Sequence, residues 1–223
     1  MSIKSAEIIP FNPLDKKNLG ASVAEALVSQ PVHALGELQS FFGSGIYAIY
    51  YHGQYMAYGA VSKPNAMDKA NPIIPIYVGK AVPQGARKGK VLPEPTRSKA
   101  LFNRLQEHAE SIASATDSLK IDDFMCRYLV VDEIWIPLGE SLMIAKFSPL
   151  WNLVVEGFGN HDPGSGRYNG LRPRWDTMHP GRAWAMKCKQ REESQADLQR
   201  EVRNYLESTA LPMTPHFIGR NDL

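Results

Sequence analysis

Arg104 and His108 stand one helical turn apart in a stretch whose apolar residues repeat at helical spacing, so their side chains share a face. An always-charged guanidinium suits a phosphoryl group, and the imidazole beside it is expected to hydrogen-bond a neighbouring tyrosine. Glu140 is the one acid well placed to ligate a metal; Mg²⁺ is commonly held by one or two carboxylates, with water and phosphate oxygens completing its shell. Tyr47 is a candidate to take or relay a proton, although a phenol of pKa near 10 is a weak base unless positive charge lowers it. These types together match phosphodiester hydrolysis, which needs a water, a proton acceptor, and positive charge facing the phosphoryl and leaving oxygens. Arg104 is the candidate for charge stabilisation.

The elements that must position these residues are legible from periodicity. Residues 15–28 and 34–43 carry apolar side chains at helical steps and predict two opening amphipathic helices. GIYAIYYHGQYMAYGAV, residues 45–61, is rich in Tyr and Ile with Gly53 at a turn position and reads as a β-hairpin. A further strand is expected at 73–81 and another at FMCRYLVV, with the Arg104 helix over 97–114 between them. Residues 82–96 hold three prolines and read as a long loop containing Arg87, Lys88 and Lys90. Pro137 suits the first turn of a helix running to Phe147, with Glu140 in that turn, and a charged helix is expected at 194–208. The outcome is an α+β domain, a small antiparallel sheet with covering helices.

The composition is that of an ordinary globular chain: 223 residues, 43% hydrophobic, 22% charged, net charge +2. No apolar window approaches the roughly 20 residues of a membrane span, and the opening segment lacks a signal core, so a cytoplasmic protein with no membrane partner is expected. Cys126 and Cys188 show neither zinc nor disulfide spacing and read as free thiols. Histidines 33, 52, 161, 179 and 216 show no ligand spacing and read as surface or packing residues. Charge is unevenly spread: residues 157–191 hold seven Lys or Arg against two acids, with glycines, Trp175 and Trp184. That mixture suits a DNA reader, in which arginine makes bidentate contacts to guanine and glycine permits close approach. Arg167, Arg172, Arg174 and Arg182 are the candidate readers. Lys80, Arg87, Lys88 and Lys90 are candidate phosphate contacts, which add affinity without sequence information.

At Gly45-Ile46-Tyr47 and Tyr77-Val78-Gly79 the chain resembles the two motifs of the GIY-YIG nucleases, and Arg104, His108, Glu140 and Asn152 follow in that superfamily's order. Taken singly, each residue has a blander reading as a packed strand tyrosine, a solvated helix face or a first-turn acid; the ordered set is what carries the resemblance. It implies a three-stranded antiparallel sheet flanked by helices and a metal-dependent DNA endonuclease using Mg²⁺, for which Mn²⁺ substitutes. In it Tyr77 orients the water or phosphate, and Asn152 holds the site or a DNA phosphate. Val78 replaces the usual isoleucine, and 29 residues separate Tyr47 from Tyr77, which marks an insertion most like the restriction-enzyme branch.

That branch implies a type II enzyme cutting double-stranded DNA at a palindromic GC-rich site, and the chain resembles the subgroup that cuts CCGCGG. A palindrome mirrors a two-fold protein, so a homodimer is expected, with a cognate methyltransferase as functional partner. The expected layout is one nuclease domain comprising a helical arm (1–43), a catalytic core (44–155) and a basic recognition and C-terminal region (156–223). The alternatives are a homing or structure-specific repair nuclease of the same superfamily and a catalytically silent DNA-binding protein.

Overall fold

A computed structural model describes residues 12–83 and 98–209. The fold is α+β, a four-stranded antiparallel sheet packed between helices. Its strands are β1 (His33–Ala34), β2 (Gly45–Tyr51), β3 (Pro75–Ala81) and β4 (Phe124–Val130), in the order β1-β4-β2-β3. Three of them are the strands expected from sequence; the fourth is the two-residue pairing of His33 and Ala34 with Cys126 and Met125.

Every residue of β2 is buried, which explains why GIYAIYY reads as a continuous apolar run rather than an alternating one. The strand period of two still sorts its side chains. Ile46, Ala48 and Tyr50 pack with Ala24 and Leu27 of α1 (Lys16–Val28) and with Ile136, Met143 and Phe147 of α4 (Ile136–Phe147). Tyr47, Ile49 and Tyr51 face the larger core of α3 (Ala100–Ser114), α5 (Leu150–Leu153), α6 (Arg174–Met178) and α7 (Gln195–Ser208). Fully burying one such isoleucine contributes roughly 1.5–3 kcal/mol, so shifting β2 by one residue would invert both faces at once.

Two expected elements are replaced. The second opening helix does not form. After β1 the chain makes a single 3₁₀ turn at Leu35–Glu37, and Phe41 reaches the core from non-helical chain, its ring stacked 4.1 Å from Tyr128. Ala34 pairs with Met125, Leu35 is buried and Leu38 and Phe41 pack on the larger core, so contacts with distant residues override the local helical periodicity. The expected hairpin return at 53–61 is likewise absent: a 3₁₀ turn at Met56–Tyr58 leads into α2 (Gly59–Met67), and β2 pairs instead with β3 beyond it. Buried Asn65 pins this insertion. Its Nδ2 donates to the carbonyls of Tyr51 (3.0 Å) and Ile74 (2.8 Å), and its Oδ1 accepts from Ile73 and Ile74 N–H.

The insertion is also tied to the opposite side of the core. Tyr58 Oη lies 2.5 Å from His179 Nε2 and accepts from Trp151 Nε1 at 2.9 Å, while His179 Nδ1 lies 2.9 Å from Ser118 Oγ. His179 is fully buried, and burial pushes its pKa down to about 3. An unfolded chain protonates this ring near pH 6.5. Unfolded molecules therefore bind a proton that folded ones refuse between about pH 6.5 and 3, so stability is complete above that window and falls as the pH drops through it. Chemical denaturation at several pH values should show His179 contributing a slope of up to about 1.4 kcal/mol per pH unit. His179→Gln should flatten the curve by that amount, whatever its effect at pH 7; parallel curves would refute the assignment.

Candidate active site

Two glycines set the register that builds the site. A side chain at Gly45 would place its Cβ 2.0 Å from the Leu129 carbonyl oxygen of β4, an immovable backbone atom. Across β2 and β3, Tyr47 pairs with Gly79, and a Cβ there would lie 2.3 Å from the Tyr47 hydroxyl. The bare glycine lets the phenol lie across the neighbouring strand and reach α3.

There Tyr47 Oη meets His108 Nε2 at 2.6 Å, the tyrosine contact expected for His108. Both groups are buried, and burial decides their ionisation. The Tyr47 pKa is raised well above its ordinary value; Arg104 opposes this shift without overcoming it. His108 is driven well below its usual value by burial, then by Arg104 and Arg182. The dyad is therefore a neutral phenol against a neutral imidazole. The positive field expected to lower the Tyr47 pKa is outweighed by desolvation, and His108 supplies none of it.

Tyr47, Tyr77, Lys80, Arg104, Glu140 and His161 line one cleft of about 900 Å³. Burial raises the Tyr77 pKa as well, with Arg104 pulling it back. Glu140 falls in the second turn of α4 rather than the first, because the helix begins at Ile136. Its Oε2 pairs with Lys80 Nζ at 2.6 Å, the two side chains being 20% and 36% exposed. Lys80 thus sits opposite the candidate metal ligand. Among the described residues no cluster of three metal-ligating side chains occurs. The donor set suits a single-carboxylate ion whose remaining ligands are water and substrate oxygens, with Glu140 at the cleft wall to receive them.

Asn152, on α5, stands behind the cleft. Its Oδ1 accepts from Val78 N–H and its Nδ2 donates to Val78 C=O, both at 2.8 Å, so its amide holds the β3 backbone between Tyr77 and Gly79. Among the cleft residues, Glu107 drew no role from sequence and His161 reads there as a surface or packing residue, yet both bond Arg104. Glu107 was findable, being three residues from Arg104 on the same helix; His161 lies 57 residues away with no local pattern to mark it.

The arginines of the basic stretch have unequal freedom. Arg182 is a correction to the expected reader set: it is buried, bonds Asp176 through Nε (2.7 Å), donates to the carbonyls of Gly157, Phe158 and Asn160, and lies over the rings of Trp175 and Trp184. A guanidinium removed from water needs such partners, and they leave it none to offer a base. Arg174 pairs with Glu201, and Arg172 donates to the carbonyl of Ala185. Arg167 is exposed and engages no side-chain partner among the described residues. Arg87, Lys88 and Lys90 lie outside the described residues. Cys126 and Cys188 are buried free thiols, and no described helix is long and apolar enough to cross a membrane.

Residues 39–206 match the family model described as the Eco29kI GIY-YIG domain. No curated protein matches the chain. The match covers β2, β3 and β4, the residues lining the cleft and the whole of the basic stretch. The chain belongs to the Eco29kI GIY-YIG domain family and is a restriction-type GIY-YIG nuclease that acts on DNA.

Proposed function

We propose that the protein is a type II restriction endonuclease that hydrolyses double-stranded DNA at a palindromic GC-rich site, CCGCGG being the site suggested by resemblance. The observation that carries the reading is the convergence of Tyr47, Tyr77, Arg104 and Glu140 on one cleft, with His108 bonded to Tyr47 from behind.

In this reading a water attacks the phosphorus while the P–O3′ bond breaks, the departing O3′ oxyanion taking a proton from solvent. The water's proton passes to the Tyr47 oxygen as the phenol proton moves to His108 Nε2, so tyrosine ends as it began and histidine holds the charge. A relay fits the geometry better than a tyrosinate base, since burial holds the phenol protonated. Arg104 faces the phosphoryl oxygens, where charge grows in the transition state. Tyr77 orients the water or phosphate, and Asn152 keeps β3 in place. Mg²⁺ held through Glu140, or Mn²⁺ in its stead, would supply positive charge at the phosphoryl and leaving oxygens. Lys80 neutralises Glu140 in the structure; with an ion held at Glu140 its ammonium would be free to contact a phosphate, as Arg87, Lys88 and Lys90 are proposed to do. Each chain has one such cleft and a palindrome presents one scissile phosphate per half, so the enzyme acts as a homodimer, with a methyltransferase protecting the same site in its host.

Incubating the purified protein with unmethylated plasmid and Mg²⁺, then sequencing the ends, should give breaks at one short palindrome; random degradation or intact plasmid would refute the assignment. Glu140→Gln keeps the side chain's size and removes its charge, so cleavage should fall by several orders of magnitude while gel-shift binding to the site persists. Tyr47→Phe removes the first group of the relay and retains the ring. It should cut at less than about a tenth of the normal rate while still folding cooperatively, with stability lowered by about 1–3 kcal/mol because the buried His108 nitrogen loses its partner; a faster rate would place the proton elsewhere. Among the arginines, Arg167→Ala should cost roughly 1–3 kcal/mol on the cognate duplex and little on mismatched ones. Equal loss on every duplex would make Arg167 a phosphate contact.

A further inference from the structure

Arg104 is gripped before any substrate arrives, and the grip comes from residues without an assigned role. Its Nη1 donates to Glu107 Oε2 at 2.8 Å and to His161 Nε2 at 2.7 Å, and its Nη2 donates to the Gly159 carbonyl at 2.6 Å. An imidazole that accepts at Nε2 carries its proton on Nδ1, and that atom lies 3.7 Å from the same Glu107 carboxylate. Gly159 itself is pressed against the site: a Cβ would come within 2.6 Å of the Tyr77 hydroxyl and 3.3 Å of Arg104 Nη2. The segment 159–161 thus reaches back from beyond the core and closes one wall of the cleft, with His161 among its lining residues.

We infer that His161, with Glu107, is a positioning residue for Arg104: it fixes the rotation of the guanidinium so that the face left free points at the reacting phosphate. The physical reason is entropic. A long arginine side chain has many rotamers, and only one aims its planar fork at the phosphoryl oxygens; a neutral acceptor holds that rotamer without cancelling the charge, as a second carboxylate would. Glu107 alone cannot do this, since one carboxylate oxygen on one nitrogen leaves the plane free to swing. Gly159 adds a backbone carbonyl on Nη2, and His161 is the neutral side chain that completes the grip on Nη1. Its own side chain is 67% exposed, so replacing it should leave the fold intact.

This inference rests on the proposed role of Arg104 in cleavage, and the test separates the two. Steady-state cleavage of the plasmid site by the full chain would be measured for wild type, His161→Ala, His161→Gln, Arg104→Ala and the Arg104→Ala/His161→Ala double variant. His161→Ala should lower kcat by about tenfold to a hundredfold with KM little changed. His161→Gln, which keeps an acceptor where Nε2 lies, should recover most of the loss, and melting temperatures should coincide. The double variant should be no slower than Arg104→Ala alone, because a positioning residue has nothing left to position. Wild-type kcat in His161→Ala beside an inactive Arg104→Ala would overturn this inference alone. So would a further loss in the double variant or a rise confined to KM, either of which would make His161 a direct DNA contact. Full activity in Arg104→Ala would overturn the role of Arg104 and this inference with it.

Discussion

A phenol laid across a glycine organises the cleft. Because Gly79 has no side chain, the Tyr47 hydroxyl can cross β3 and meet His108 at 2.6 Å, and the pairing of Tyr47 with Gly79 is in turn set by β2 being buried on both faces. A register slip would turn Tyr47 toward α1 and α4 and leave His108 facing Ile46 or Ala48. Asn152 guards the same relation from the other side, holding Val78 by both of its backbone polar groups. The strands therefore position chemistry through backbone register, with few side chains free to compensate for an error.

The site's electrostatics are those of a cavity holding one dominant cation. Arg104 stands near two tyrosines and a histidine: desolvation outweighs it at Tyr47 and Tyr77 and acts in the same direction at His108, so before substrate binds all three are uncharged. The one carboxylate bonded to Arg104 is that of Glu107, and the tyrosines and histidine around it add no further negative charge. The second pair, Lys80 with Glu140, is partly exposed and balanced, which suits groups that must exchange partners when substrate and ion enter.

The basic stretch is built on the opposite economy. Arg182 spends its whole hydrogen-bonding capacity on Asp176 and three carbonyls, and so converts a glycine-rich segment into a fixed arm. That arm begins with residues 157–161, the part that reaches Arg104, so one buried ion pair supports both the wall of the cleft and the surface carrying Arg167. Removing either member would strand a buried charge, a loss of several kcal/mol by the general behaviour of such pairs, about 3–5.

Much of this was legible in the chain. Local periodicity placed α1, α3, α4 and α7 and the strands β2, β3 and β4 close to where they lie, and the one-turn spacing of Arg104 and His108 announced a shared face. Those features depend on neighbours within a few residues, which the chain itself specifies. What failed were segments whose conformation is decided by distant partners: residues 34–43, of which Ala34 pairs with β4 and Phe41 stacks on Tyr128, and the hairpin return at 53–61, replaced by a 3₁₀ turn and α2 that are held by Asn65 and by the contact of Tyr58 with His179, 121 residues away. The roles of arginines divided in the same way. Composition shows that residues 157–191 are basic, but whether a guanidinium is free depends on which acids and carbonyls the fold brings to it, and only the tertiary structure separates buried Arg182 from exposed Arg167 or sets His161 against Arg104.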